Sequence, residues 1–200
     1  MQSRSRLLCA ALWLALAGAA GHAGAFNAAD VPEAKRADGA QYLDAKEAYA
    51  LKQQLGAKSY MVDVRTRYEV AYLGMPTVAD ANIPYLEHPD DAGWDAKAGR
   101  WAMSVNNDFG PELARRMTAK GLGKDDTVIL MCRSGDRSGR AANLLMQLGY
   151  HKVYTVVDGF EGDLAKDGPH AGQRVVNGWK NAGLPWTYKL EPSKLYYPQF

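Results

Sequence analysis

The sequence predicts an α/β fold with a doubly wound arrangement, in which helices cover both faces of a central parallel sheet. Residues 128–131 are an apolar run and residues 153–157 a mostly apolar one, each with the length of a buried strand. Between them, apolar residues recur at the helical spacing i, i+3, i+4, i+7, namely Ala141, Leu144, Leu145 and Leu148. Strands that alternate with helices indicate a parallel sheet, and ligands bind such sheets at the carboxyl ends of the strands.

The first element, residues 1–25, is typical of a secretory signal peptide. Arg4 and Arg6 precede an apolar run that ends near Ala20, and residues 23–25 are small, as at an A-x-A cleavage site. An uncleaved membrane anchor is the alternative, but the run is shorter than the roughly 17 to 25 residues that a spanning helix needs. We therefore expect an exported protein, in the bacterial periplasm, that has no membrane contact after cleavage.

Charge and cysteine content both change when this segment is removed. The chain has 24 basic and 22 acidic residues, and loss of Arg4 and Arg6 makes the two numbers equal. Without surplus positive charge the chain is a poor partner for nucleic acid, so we expect no nucleic-acid partner.

Cys9 is also lost with the signal peptide, which leaves Cys132 as a lone thiol in a compartment where cysteines are usually paired. The four histidines show no metal-ligand spacing with it, so neither a metal nor a cofactor is expected.

The elements before the middle of the chain follow from local patterns. Residues 26–40 have no clear period and are interpreted as an irregular N-terminal lead-in. Asp44 and Glu47 approximate a capping box, which predicts a helix that ends near Gly56. Residues 60–64 are then expected to form a buried strand.

The next segment, residues 88–107, is rich in Asp, Gly and Trp and is interpreted as a loop insertion. Trp94 and Trp101 would either cover the core or line a substrate cleft. Pro111 occupies a first-turn position and predicts a helix that closes before Gly121.

The most informative stretch directly follows the predicted strand at residues 128–131. It reads Cys-Arg-Ser-Gly-Asp-Arg-Ser, from Cys132 to Ser138. Gly135 allows the chain to curl so that successive backbone N–H groups point at one spot, beside the positive end of the next helix. Such a cradle stabilises an anion and favours the nucleophilic thiolate of Cys132, as do Arg133 and Arg137. The alternative is a buried strand-end cysteine, which would gain nothing from two arginines and a flexible glycine loop.

This loop resembles the active-site loop of the rhodanese (sulfurtransferase) family. In that family the cysteine takes a sulfane sulfur from a donor, holds it as a persulfide in the backbone cradle, and passes it to a nucleophilic acceptor. The resemblance implies a rhodanese-like fold with Cys132 as the catalytic residue. It also implies a set of residues that bind the substrate and the persulfide: Arg133, Ser134, Gly135, Asp136, Arg137 and Ser138. Backbone N–H groups of residues 134–138 would hold the persulfide, and the two arginines would help to position the anionic donor.

Loop length separates this pattern from that of a related class of enzymes. Dual-specificity phosphatases that resemble rhodaneses have a loop one residue longer, Cys-x5-Arg, whose arginine binds a phosphate. Here the sixth residue after Cys132 is Ser138, and Arg137 comes one position earlier. The spacing therefore disfavours a phosphatase.

The resemblance extends over residues 41–190. Asp63 and Arg65 match an Asp-x-Arg pair at the end of an early strand of the family, where the pair helps to tie the core to the active-site side. The alternative is an ordinary strand end with a solvated arginine. Residues 81–84 resemble the short strand and turn that precede the second half of a rhodanese domain.

The C-terminal part resembles the family in two separated pieces. Residues 158–162 and 177–185 are similar to its closing turn and its last helix. The intervening residues 163–176 are interpreted as a second insertion, close to the active-site rim. The tail, residues 191–200, is expected to pack as an extension of the domain.

We therefore expect one domain that acts as a thiosulfate sulfurtransferase through a persulfide on Cys132. The donor would be thiosulfate or a similar small sulfur-containing anion, and the acceptor would be cyanide, a thiol or a protein. The alternative is a sulfur-carrier or redox-relay module, which receives sulfur from a partner and has little turnover of its own.

Overall fold

A computed structural model describes residues 26–197, and the proposed signal peptide lies outside the described residues. Five parallel strands form the central sheet. They are β1 (Gln41–Leu43), β2 (Ser59–Asp63), β3 (Ala81–Asn82), β4 (Thr127–Met131) and β5 (Lys152–Val156). Their order across the sheet is β1-β5-β4-β2-β3, so β4 lies at the centre, between β5 and β2.

Helices cover both faces of this sheet, which confirms the predicted fold class. They are α1 (Ala45–Leu55), α2 (Arg67–Leu73), α3 (Phe109–Ala119) and α4 (Asp136–Gln147). Alternate residues of β4 point to opposite faces, as strand geometry requires. Val128 and Leu130 pack with residues of α3 and α4, whereas Ile129 and Met131 pack with residues of α1 and with Trp179.

Local capping determines where the first two helices begin. The predicted capping box of α1 is confirmed: Asp44 accepts from the Glu47 N–H at 2.8 Å, and Glu47 accepts from the Asp44 N–H at 2.9 Å. Thr66 and Glu69 form a second capping box at the start of α2. Each box satisfies N–H groups that the first turn of a helix leaves free, so both helices have defined starts.

The segment interpreted as a loop insertion, residues 88–107, contains regular structure. Within it and at its edge lie two antiparallel pairs of short strands: Leu86–Glu87 with Ser104–Val105, and Trp94–Asp95 with Arg100–Trp101. The indole rings of Trp94 and Trp101 meet edge to face, with centroids 5.7 Å apart. Each is 59% exposed, so the two rings pack on each other rather than on the core.

The expected last helix is reduced to a single turn within residues 177–185. Gly178 has a φ of 98°, and a Cβ there would lie 2.5 Å from the backbone nitrogen of Gly162. Gly183 has a φ of 69°, so the turn is bounded by two left-handed residues and has no room for a helix. Trp179 in this turn is fully buried.

The remaining segments pack around the sheet. Met75–Pro76 pairs with Trp186–Thr187, which attaches the C-terminal chain to the end of α2. Tyr196 in the tail is buried and its hydroxyl lies 3.1 Å from the Asp108 carboxylate. Of the helices in residues 26–197, none is both long enough and apolar enough to cross a membrane.

Candidate active site

The Cys132 loop connects the carboxyl end of β4 to the start of α4. Its carbonyl groups are held on the outer side, where Cys132 O accepts from the Phe160 N–H at 2.8 Å. Arg133 O accepts from the N–H groups of Glu161 at 3.0 Å and Gly162 at 3.2 Å. A trans peptide directs its N–H opposite to its carbonyl, so the N–H groups of Arg133 and Ser134 point to the side of the loop opposite residues 160–162, which we call its inner side.

The inner side of the loop surrounds the sulfur atom. Cys132 is 1% exposed, and Gly135 donates its N–H to Cys132 Sγ at 3.1 Å. Helix α4 begins at Asp136, so the N–H groups of its first turn have no acceptor inside the helix. These N–H groups and the positive end of the helix together favour a negative charge next to the sulfur.

Two glycines permit this close arrangement. Gly135 has a φ of 99°, and a Cβ there would clash with the carbonyl oxygen of Val157. Gly159 has a φ of 63°, and a Cβ there would lie 2.6 Å from the carbonyl oxygens of both Cys132 and Arg133. The segment after β5 therefore packs directly on the backbone of the loop, where no side chain fits.

Ser138, expected to bind the persulfide, is turned toward the sheet. Its hydroxyl is buried, donates to Gly135 O at 2.9 Å and accepts from Thr155 Oγ1 at 2.8 Å. The side chain therefore holds the loop against β5, and its hydroxyl is occupied by these two contacts. Ser134, by contrast, is half-buried at the loop itself.

Arg137 was expected to position the donor, but its guanidinium is bound elsewhere. It forms a two-point ion pair with Glu69 of α2, with distances of 2.5 and 2.6 Å. Burial opposes ionisation of Glu69, but the hydrogen bonds and charge of Arg137 outweigh it and lower the pKa of Glu69 to about 2. Burial likewise acts to lower the pKa of Arg137, yet Glu69 raises it overall. The pair thus fixes the start of α4 to α2.

The remaining charged residues of the loop differ in their surroundings. Asp136 forms an exposed ion pair with Arg140 at 3.0 Å. Arg133 is half-buried, and its Nε is buried without a hydrogen-bond partner within residues 26–197. Of the two loop arginines, Arg133 is therefore the one without an ion pair within residues 26–197.

Asp63 and Arg65 form a fully buried pair behind the loop. Arg65 Nε donates to Asp63 Oδ1 at 2.9 Å, and both side chains are inaccessible to solvent. The Arg65 guanidinium stacks on the Phe160 ring at 3.9 Å from its centroid. Because the Phe160 N–H binds Cys132 O, this pair supports the segment that holds the loop carbonyls.

Two residues of the site were missed by sequence reasoning. Glu69 could have been found through its capping box with Thr66, but its contact with Arg137 spans 68 residues of sequence. Arg174, in the second proposed insertion, donates to Gly162 O beside the loop. No local pattern indicates that contact. Among residues 26–197, no group of three or more His, Cys, Asp or Glu side chains could hold a metal ion.

Comparisons with known proteins agree with this geometry. A sequence model of the rhodanese-like domain matches residues 44–166. The uncharacterized protein RP600 of Rickettsia prowazekii is 28% identical over 135 residues, which are 67% of this chain and 87% of the relative. The thiosulfate sulfurtransferase GlpE of Tolumonas auensis is 31% identical over 104 residues, which are 52% of this chain and 89% of the relative. The crystal structure of Rv0390 from M. tuberculosis has a TM-score of 0.56 at 27% identity, over 74% of this chain and 96% of that chain.

Proposed function

The chain belongs to the rhodanese-like family of sulfurtransferases, and from that membership we propose that it moves a sulfane sulfur from thiosulfate or a similar donor through a persulfide on Cys132. The observation that carries the proposal is the position of Cys132 Sγ, which accepts the Gly135 N–H at 3.1 Å inside the loop. A thiolate there is stabilised by backbone donors and by the start of α4. The same donors would stabilise the terminal sulfur of a persulfide.

In the first step the Cys132 thiolate attacks the outer sulfur of thiosulfate. A bond forms between Sγ and that sulfur, the S–S bond of thiosulfate breaks, and its electron pair leaves with sulfite. The negative charge that was on Sγ moves to the terminal sulfur of the persulfide, so charge is conserved. Because the cradle N–H groups are already oriented, they stabilise the anion without reorganisation during the reaction.

In the second step a nucleophilic acceptor removes the terminal sulfur. Cyanide attacks that sulfur, the bond to Sγ breaks, and thiocyanate and the Cys132 thiolate are formed. A thiol acceptor would yield its own persulfide in the same way. The cradle contacts the transferred sulfur through backbone atoms. The loop itself would therefore give little selectivity among acceptors.

The test is transfer of sulfur from thiosulfate to cyanide, measured as thiocyanate, with hydrolysis of an aryl phosphate measured in parallel. We expect turnover in the first assay and none in the second, with the first abolished in Cys132→Ser. A persulfide that forms without steady turnover would favour the carrier or relay module. Phosphate hydrolysis that depends on Cys132 would contradict the proposal.

We also propose that the protein is exported and that cleavage occurs after Ala25, on the basis of the basic and apolar pattern of residues 1–25. The intact mass of the exported protein should then correspond to a chain that begins at Phe26. A chain that retains the apolar run would instead favour the membrane anchor.

A further inference from the structure

Arg133 and Arg174, near the Cys132 loop, lack a carboxylate partner within residues 26–197, in contrast to most arginines of that part of the chain. Within residues 26–197, six arginines form ion pairs: Arg65, Arg67, Arg115, Arg116, Arg137 and Arg140. Arg133 and Arg174 form none in that part of the chain, although both are half-buried. A partly desolvated guanidinium without a counter-charge is costly, and an anionic ligand would relieve that cost.

Backbone contacts bring Arg174 next to the loop. Its Nη1 donates to Gly162 O, while the N–H of the same Gly162 donates to Arg133 O at 3.2 Å. A single residue therefore separates the Arg174 guanidinium from the cradle backbone. Only one donor of the guanidinium is used in this contact, so others of its five remain for a ligand.

The segment that carries Arg174 is held in a defined conformation. Arg174 pairs with Leu164 in an isolated antiparallel bridge, and the Ala165 N–H donates to Gln173 O at 2.8 Å. Asn181 donates to Arg174 O at 3.1 Å and thereby ties this segment to the C-terminal turn. The backbone that carries Arg174 is therefore held by hydrogen bonds at Gln173 and at Arg174 itself.

The charges around Arg174 include both signs. Burial and the cation of Arg133 lower the pKa of Arg174, whereas Glu161, Asp163 and the Cys132 sulfur act in the opposite direction. Asp163 is already bound by Lys35 at 2.7 Å, which leaves Glu161 as the nearby carboxylate without an ion pair among the described residues. The geometric link between Arg174 and the loop is the shared contact with Gly162, and Arg174 remains charged at all working pH values.

We propose that Arg174 and Arg133 form a subsite for the oxygen-bearing end of a doubly charged sulfur donor, which makes the protein selective for dianionic over monoanionic donors. The inference rests on the proposed function, because it assigns the donor of that reaction. It also gives the 163–176 segment a role in donor choice. The outer sulfur of such a donor would face Cys132 while its anionic oxygens bind the two guanidinium groups.

The experiment compares thiosulfate, a dianion, with methanethiosulfonate, which transfers the same sulfur but carries one charge. In Arg174→Gln we expect KM for thiosulfate at low ionic strength to rise about tenfold, and KM for methanethiosulfonate to rise much less. High salt should reduce the difference, because it screens the charge. Arg174→Lys should retain part of the preference for thiosulfate that Arg174→Gln loses, since lysine keeps the charge but not the planar arrangement of donors.

Lys166→Gln is the matched control, because Lys166 is an exposed cation in the same segment. It should leave both KM values unchanged. An equal rise for both donors in Arg174→Gln would overturn the subsite and indicate a merely structural role for Arg174. Unchanged KM values for both donors would overturn it as well.

A binding measurement separates this inference from the proposed function. Calorimetry of thiosulfate with Cys132→Ser needs no turnover, and adding Arg174→Gln should weaken the Kd about tenfold. Equal affinity in the two proteins, or no binding to Cys132→Ser, would overturn the subsite even if the wild type turns over. Wild-type protein that is inactive with every sulfane donor would contradict the proposed function instead.

Discussion

At the scale of single residues, the two arginines of the loop have different surroundings, although the sequence pattern predicts the same role for both. Arg137 is 5% exposed and bound to Glu69, while Arg133 has no ion-pair partner among residues 26–197. A buried cation is tolerated only with a partner that satisfies it, and Glu69 supplies both charge and geometry. We infer that Arg137 positions the loop and that Arg133 contacts the donor.

The positioning role of Arg137 predicts the effect of Glu69→Gln. The change leaves the buried Arg137 cation without its counter-charge, which should lower the free energy of unfolding by about 3 to 5 kcal/mol. Because the pKa of Glu69 is lowered from 4.5 to about 2, its contribution is present at neutral pH and is lost as pH falls through that interval. Urea unfolding at pH 7 and at pH 3 measures both effects.

The control for Glu69→Gln is Asp125→Asn, which alters the 2.7 Å contact between the Asp125 carboxylate and His151 Nδ1, two side chains that are both well exposed. It should change stability little, as exposed pairs do. A Glu69→Gln protein as stable as this control would show that the pair does not anchor the loop.

At the scale of elements, the unit formed by β4, the loop and α4 could be predicted, because an apolar strand, a glycine loop and a helical period follow one another in sequence. The segment that orients the loop could not be found from local pattern. Phe160, Glu161 and Gly162 bind the loop carbonyls from the end of β5, a different strand. These residues reach the loop because β5 lies beside β4 in the sheet. Local sequence patterns do not reveal that order of strands.

Gly159→Ala tests the contact between that segment and the loop. Its left-handed φ costs a side chain roughly 1 to 2 kcal/mol, and the added Cβ would lie 2.6 Å from the carbonyl oxygens of Cys132 and Arg133. Gly168→Ala is the matched control: its φ is 73°, but a Cβ there meets nothing within 4 Å. We expect both to lose stability and only Gly159→Ala to lose most of its kcat/KM for thiosulfate. Equal activity in the two variants would contradict the packing argument.

At the scale of the whole molecule, the fold class could be predicted, whereas the packing of the N-terminal lead-in could not. The lead-in was expected to be irregular, yet it forms short 3-10 turns at Ala28–Asp30 and Glu33–Lys35. Lys35 donates to Val157 O at 2.9 Å across 122 residues of sequence. Such long-range contacts leave no periodic signal, so only the structure reveals them.

Asp158, near the N-terminal lead-in, should make the stability of the whole fold depend on pH. Asp158 lies beside a cavity of about 250 Å³ that the lead-in helps to enclose. Burial, and to a smaller extent the charge of Asp44, raise the pKa of Asp158 from 3.8 to about 6, despite the hydrogen bond from the Gly178 N–H. The folded protein therefore binds this proton more tightly than the unfolded chain, and stability falls as pH rises through that interval.

Asp158→Asn should remove this part of the pH dependence, because the amide keeps the shape of the side chain without its charge. The variant should be more stable than wild type at pH 7, by up to about 3 kcal/mol, and about equally stable below pH 3.8. Tm values between pH 3.5 and pH 8 measure the difference. Parallel curves for the two proteins would show that Asp158 is not destabilised by burial.

The central claim, that Cys132 carries the transferred sulfur, is tested most directly by mass spectrometry after treatment with thiosulfate. We predict a gain of one sulfur atom that maps to the peptide containing Cys132, is removed by cyanide, and is absent in Cys132→Ser. Peptide mapping also distinguishes Cys132 from Cys9 in any unprocessed chain. An added sulfur on the Cys132→Ser protein, or a wild-type protein that gains none from thiosulfate or any other sulfane donor, would contradict the account.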